Sequence, residues 1–374
     1  MKLKSRAARG LAAAAITTAL GVTGAGAAGA ASTAPPTRPT HPVTAYVANQ
    51  GSDTVTPIRT ATNTALKAIK VGPDPRGIAI TPNGNTAYVT NYGGIAAAGD
   101  TVTPIRTATN TALKAINVGD NPQSIAITPN GKTAYVANYV SGTVTPIRTA
   151  TNTALKAIKV GSDPYAIAIT PNGKTAYVTS GLGLTPINTA TNKAGKAIKV
   201  FSAFAFAITP NGKTAYVTGS DTVTPVNTAT NKAGKAIKVG SGPDAIAITP
   251  DEKTAYVTSG SGVTPISTAT NKAGKAIKVG KGPDDIAITP DGKTVYVANV
   301  GSDTVTPVNT ATNKAGKAIK VGSDPFNIAI TRNGKTVYAV NDASGTVTPI
   351  RTATNTALKA IKVGKYPYAI AITP

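Results

Sequence analysis

Apolar and β-branched residues fall in short runs along the chain, with turn-forming residues between them. Over 125–161 the sequence reads IAITPNGKTAYVANYVSGTVTPIRTATNTALKAIKVG, and four runs stand out: Ile125–Thr128, Thr133–Ala137, Thr143–Ile147 and Ala157–Val160. We designate them a, b, c and d. Rich in Ile, Val, Thr and Tyr and bounded by turn chemistry, each run predicts a β-strand. Strands a and b are joined by Pro129-Asn130-Gly131, where proline presets the first turn angle and Asn-Gly accepts positive φ, so the link predicts a tight hairpin. One copy of this turn carries Glu252 in place of the glycine, a substitution that costs about 1 kcal/mol if φ is positive there. The c–d link, Arg148 to Leu155, offers Asn152 as a left-handed turn residue. A helix over TATNTALKAIK is opposed by Thr and Asn, and by Gly195, Gly234, Gly274 and Gly316 in other copies. No run alternates strictly between polar and apolar, which fits strands buried on both faces.

The same unit fills most of the chain. Its AYV-type tyrosine recurs at Tyr46, Tyr88, Tyr135, Tyr177, Tyr216, Tyr256, Tyr296 and Tyr338, at spacings of 42, 47, 42, 39, 40, 40 and 42 residues. Four strands repeating at a period near 40 predict propeller blades. The first copy starts at strand b (Thr44–Ala48), seven whole units follow, and the chain stops on a lone strand a, Ile370–Thr373. Pairing that strand with the N-terminal three makes a composite blade and removes two sheet edges that would invite aggregation. The expected fold is therefore all-β: a single β-propeller of eight four-stranded blades, closed by the C-terminal strand. An uninterrupted repeat forms one continuous core, which outweighs the two or three domains that length suggests.

Ahead of the repeats, Lys2, Lys4, Arg6 and Arg9 precede an apolar run ending in small-x-small sites near Ala31. Residues 1–31 are expected to be a secretory signal peptide, 32–43 a Pro/Thr-rich linker holding the sole histidine, His41, and 44–374 the propeller. With no cysteine, stability rests on ring closure and blade stacking. The expected product is secreted or held non-covalently at the cell surface, monomeric, and without a membrane span once the leader is cleaved.

The AYVTN and AYVAN segments (Ala87–Asn91, Ala134–Asn138, Val295–Asn299), with IAITPNGKTAYV and TATNT…KAIKVG around them, resemble the YVTN-repeat β-propellers from Thr44 to the last residue. The resemblance implies a propeller of the kind found in bacterial exported and archaeal surface-layer proteins, and it implies little chemistry. Two departures are local: Val200–Phe204 replaces VGxxP, and Tyr338–Asn341 reads YAVN.

Some propellers of this general type are lyases or lactonases that use His and Glu around the channel. This chain has its single His in the linker, its single Glu (Glu252) in a hairpin, no Cys, and no calcium loop of the DxDxDG type. On that inventory the expectation is a secreted, non-enzymatic binding or surface scaffold for an extracellular protein or glycan, with no cofactor or metal. The alternatives are an exported hydrolase or lyase using the central channel, and a non-specific binder of anionic polymer or nucleic acid. The b–c and d–a links vary in length and residue type among the units, while a–b and c–d barely change. In a four-stranded meander the variable links share one face, which suggests a recognition surface. The residue after each d–a proline is expected to face the channel mouth there, as a solvated ligand contact: Arg76, Gln123, Tyr165, Asp244, Asp284, Phe326 and Tyr368. Of these, Tyr165, Phe326 and Tyr368 are the expected anchors.

Charge adds a second feature. The 374 residues carry 38 basic and 15 acidic side chains, and five of the basic ones precede Val43, so the propeller holds 33 against 15, a net +18. Most acids lie in the variable links, while lysines fill the a–b turns and the outer strands. The basic rim, with Lys193, Lys196, Lys232 and Lys235 as its candidate contacts, is expected to attract an anionic cell-envelope polymer. Against nucleic acid, few aromatics are present for base stacking.

Overall fold

The structure, a computed structural model, describes residues 42–93 and 99–374. The expected signal peptide, nearly all of the expected linker and residues 94–98 of one b–c link lie outside them. Eight antiparallel sheets form a closed eight-bladed β-propeller. We number the blades from the composite one, which takes strand b from Thr44–Asn49, c from Thr54–Arg59 and a from Pro367–Ile372. Closure follows the expected strand pairing, and its register sets Ala45 opposite Ile372, Val47 opposite Ile370 and Ala48 opposite Ala369. Thr373 reinforces it: its N–H donates to the Thr44 carbonyl at 2.9 Å, and its hydroxyl accepts from the Thr44 N–H at 2.9 Å.

Strand d departs from its expected form. In blade 3 it is two short pieces, Thr153–Ala154 and Ile158–Lys159, both paired with strand c (Thr143–Arg148). The cause is Pro146 in the middle of strand c. It offers a carbonyl, which accepts from the Leu155 N–H at 2.7 Å, but no N–H to continue the ladder outward. Every blade repeats this proline, and in every blade the outer strand breaks opposite it.

The core lies between blades. One cluster joins Tyr135, Ala137 and Val144 of blade 3 to Ile167, Ala176 and Val178 of blade 4, and seven like it complete the ring. The repeated tyrosines span these seams. Tyr135 donates to Asn192 Oδ1 in the c–d turn of blade 4 at 2.7 Å, and all eight tyrosines do the same at 2.5–2.7 Å, ending with Tyr338 on Asn63 of blade 1. Each of these asparagines sits at φ between 52° and 54°, the left-handed turn expected of Asn152. Glu252 likewise has φ 61°, so the strain anticipated from its replacement of glycine is present.

Candidate functional site: the channel mouth

Strand a is innermost, and the residue at its start points toward the axis. In blades 1, 2, 3, 7 and 8 the strand begins at the d–a proline itself, so the following residue belongs to the ladder. In blades 4, 5 and 6 the strand is three residues long, yet the axis-facing residue is held just before it by the same partner. Tyr165, Phe204 and Asp244 donate their N–H groups to the carbonyls of Thr179, Thr218 and Thr258 at 2.9–3.2 Å. Eight side chains therefore converge. Phe204 completes the ring in blade 5, where Val200–Phe204 has lost the proline that marks the position elsewhere. Its departure from the repeat was the available signal.

The seven expected residues are all in this ring, but they are not solvated loop contacts. Tyr165 and Tyr368 are buried at 5% and 8% exposure, and Gln123 at 5%; Arg76, Asp244, Asp284 and Phe326 are half-buried. Exposed anchors were expected at Tyr165 and Tyr368. Closure brings eight inner strands around one narrow axis, so the side chains pack on one another instead. Tyr165 stacks on Phe204 with centroids 4.5 Å apart, and Phe326 lies 5.2 Å from Tyr368.

The ring has two chemically different halves. On one side Arg76 is fixed by a salt bridge to Asp74 at 3.2 Å, by Nη1 donating to Gln123 Oε1 at 3.0 Å, and by stacking 3.4 Å from the Tyr92 ring centroid. Gln123 Nε2 in turn reaches the Tyr368 hydroxyl at 3.4 Å. With its charge neutralised and its fork occupied, Arg76 braces this half. On the other side, Asp244 and Asp284 occupy the same position in neighbouring blades. Thr258 holds both: its carbonyl accepts from the Asp244 N–H, and its hydroxyl donates to the Asp284 carbonyl at 2.9 Å. Burial raises the Asp244 carboxyl to about 6. Burial, then the charges of Asp244 and Asp285, lift Asp284 well above the usual carboxylate range. In this half the buried Asp284 Oδ2 has no hydrogen-bond partner among the described residues, and the buried Tyr165 hydroxyl has only the Tyr368 hydroxyl, across the ring, within reach. Asp284 and Tyr165 lie within electrostatic reach of each other, and burial keeps the Tyr165 phenol protonated.

Asp285, missed in the sequence, lies directly behind. At 1% exposure its carboxylate accepts from Ile286 N, Ile328 N and Asn327 Nδ2 at 2.8–2.9 Å, and Asn327 Oδ1 accepts from Ile370 N at 3.2 Å. This chain of bonds runs from blade 7 through blade 8 to the closing strand. Burial raises Asp285 to about 7, against the lowering effect of the two backbone donors. The run Pro283-Asp284-Asp285 was its signal. The rim lysines Lys193, Lys196, Lys232 and Lys235 are exposed and distant from this site. Among the described residues no group of three His, Cys, Asp or Glu side chains is placed to hold a metal, and no helix is long and apolar enough to cross a membrane.

Comparison with known proteins bears on this site. Residues 94–215 match the YNCE-like β-propellers, and residues 203–365 match the lactonase family of seven-bladed β-propellers. No curated protein matches the chain by sequence. Among solved structures, hydrazine synthase of Kuenenia stuttgartiensis is 25% identical, with a TM-score of 0.62, over 76% of this chain and 97% of that one. The dihydro-heme d1 dehydrogenase NirN in complex with DHE is 14% identical (TM-score 0.75; 88% and 74% covered). A candidate 6-phosphogluconolactonase from Bacteroides uniformis is 18% identical (0.60; 89% and 100%). The last two show the fold alone. The lactonase match overturns the expectation of a non-enzymatic scaffold. That expectation looked for His and Glu and took each channel aspartate for a solvated loop residue; the matched segment contains Asp244, Asp284 and Asp285, and all three are withdrawn from water. The chain is a β-propeller protein, similar over residues 203–365 to the lactonase family of seven-bladed propellers.

Proposed function

We propose that the protein is a hydrolase that opens a small cyclic ester at the mouth of the channel, with Asp244 and Asp284 as its acid–base pair. The observation that carries this reading is the pairing of two neighbouring inward carboxyls, one of which, Asp284, holds a buried Oδ2 with no hydrogen-bond partner. Buried polar atoms without partners are uncommon in folded proteins, and at a concave site they mark where a ligand's polar groups belong.

Each group has a role set by its environment. Asp244 is mainly ionised at neutral pH and serves as general base. Asp284, which burial and its two acidic neighbours lift well above the usual carboxylate range, acts in its protonated form and, with Tyr165, donates toward the ester carbonyl oxygen. Water attacks the carbonyl carbon and gives its proton to Asp244. The tetrahedral oxyanion is stabilised by the two donors, as in an oxyanion hole. The ring C–O bond then breaks and the departing alkoxide takes the proton from Asp244, leaving a hydroxy acid and the starting enzyme. Two carboxyls driven to different protonation states by their surroundings are a recurrent way to assign acid and base. Finer membership in the YVTN-repeat group, and action outside the cell after loss of residues 1–31, are part of the same reading; N-terminal sequencing of the secreted chain tests the latter.

The test is hydrolysis of a panel of five- and six-membered lactones by the purified protein, followed by pH-stat. Asp244→Asn and Asp284→Asn should each lower kcat by about 10²-fold or more, the usual contribution of a positioned acid or base. The rate should fall below about pH 6 as Asp244 takes up a proton. Folded protein with no activity on any lactone, or Asn variants with the parent rate, would overturn the proposal.

A further inference from the structure

The eight outer segments, from the proline of strand c to the end of strand d, contain 23 Lys and Arg residues and no Asp or Glu. No ion pair among the described residues involves any of them. The charge is evenly spread, but its setting is not. Blades 1, 2, 3 and 8 carry an arginine at the end of strand c (Arg59, Arg106, Arg148, Arg351) and a half-buried leucine in the outer strand (Leu66, Leu113, Leu155, Leu358). Blades 4 to 7, which are contiguous, replace that leucine with Gly195, Gly234, Gly274 and Gly316 and carry three exposed lysines each, such as Lys193, Lys196 and Lys199.

The glycine opens space. Between blades 4 and 5 lies a groove of about 450 Å³ lined by Pro186, Gly195, Lys196, Lys199 and, from the next blade, Thr230 and Asn231. The Gly195 N–H is committed to the Pro186 carbonyl at 2.8 Å, as Leu155 is to Pro146 in blade 3. The backbone is therefore the same, and only the side chain that would fill the groove is missing.

We infer that blades 4 to 7 form a docking arc for a flexible, base-free phosphate polymer, a linear polyphosphate that lies along the lysines of the arc and seats in the groove between blades 4 and 5. Twelve lysines free of ion pairs provide the attraction, and the groove between blades 4 and 5 provides a seat. Lysine ammonium groups suit phosphates met as point charges in varied orientation, in contrast to the bidentate geometry arginine favours. Nucleic acid fits less well, because the outer segments carry no aromatic side chain on which a base could stack.

The test compares two variants with the same loss of charge, using long-chain inorganic polyphosphate as the probe. One changes Lys193, Lys196, Lys232 and Lys235 to Gln, in adjacent blades of the arc. The other changes Lys67, Lys70, Lys359 and Lys362 to Gln, in adjacent leucine-filled blades. Parent binding should weaken steeply with salt, as contacts that release counterions do. The arc variant should bind at least about tenfold more weakly than the control variant. Gly195→Leu with Gly234→Leu, which removes no charge, should also weaken binding, while an unchanged melting temperature reports an intact ring. Equal losses in the two charge variants, binding unaffected by leucine, or oligo-dT bound as tightly as polyphosphate of equal charge would each overturn the inference.

Discussion

Stability should fall as pH rises from 5 to 8, the reverse of the usual behaviour of a protein rich in paired carboxylates. Together with Asp284, Asp285 is a main cause. Its native value is about 7 against about 3.9 for an exposed aspartate. Between those values the native state holds a proton that the unfolded chain has released, so unfolding free energy declines with pH. Below the lower value and above the upper one the group contributes no slope. Each unit within the window is worth about 1.4 kcal/mol, so Asp285 removes roughly 3 kcal/mol between pH 5 and 7. Asp244, at about 6, adds on the order of 1 kcal/mol between pH 5 and 6. Asp284 acts in the same direction.

Few other groups titrate in this interval. The sole histidine is His41, outside the described residues. Asp251 and Asp291, lowered by their bonds to Thr249 and Thr289, act in the opposite sense but below pH 4, and both are exposed. Guanidinium unfolding at fixed ionic strength should therefore give a free energy larger by at least about 4 kcal/mol at pH 5 than at pH 8. Asp285→Asn should reduce that difference by about 3 kcal/mol. Equal stability at the two pH values, or an Asn variant with the full difference, would refute the assignment of a protonated, buried Asp285.

Two further predictions concern the ring itself. Deleting residues 368–374 removes the buried Tyr368 and Ile370 and uncovers strand b of blade 1; a loss of about 5 kcal/mol or more, seen as a lowered Tm with self-association on gel filtration, is expected, and a monomer melting at the parent temperature would contradict closure. Tyr135→Phe and Asn192→Ala should each cost about 1–3 kcal/mol by leaving a polar partner unmet, and the double variant should cost less than their sum by about 1 kcal/mol; additive costs would show that the 2.7 Å bond across the seam contributes nothing.

The architecture was legible because it is written eight times. Tyrosine spacing, the Pro-Asn-Gly turn and the lone C-terminal strand required blades, a blade number and a closure, and the pairing of Val47 with Ile370 follows from them. The break in strand d was also present in the sequence, at Pro146, but a single proline in a β-rich run was outweighed by the strand pattern on either side. The channel residues are marked in the sequence by the d–a proline, but their burial is not. A residue after a loop proline reads as solvated in any one repeat, and only convergence of eight such residues on a narrow axis buries them. Burial of that sort belongs to the closed ring and cannot be read from one unit.

One position in each blade shows how chemistry enters so regular a scaffold. Near the start of strand a, bulged pairing leaves a backbone N–H that must find a partner. In blades 2, 4, 5 and 6 a buried threonine of strand b accepts it: Thr90 from Gly77, Thr179 from Ala166, Thr218 from Ala205 and Thr258 from Ala245, at 2.7–3.0 Å. Where strand b has Ala298 or Val340 instead, strand a supplies the polar group as Asp285 or Asn327, and their bonds extend into the following blade. The two arrangements take different N–H groups: the threonines take the one near the start of their own strand a, whereas Asp285 takes those of Ile286 and Ile328 and Asn327 takes that of Ile370. The second one also places an ionisable carboxyl against Asp284, where its charge adds to the upward shift of that neighbour. A neutral threonine on strand b carries no charge with which to tune the channel, which makes the exchange at blade 7 intelligible as chemistry.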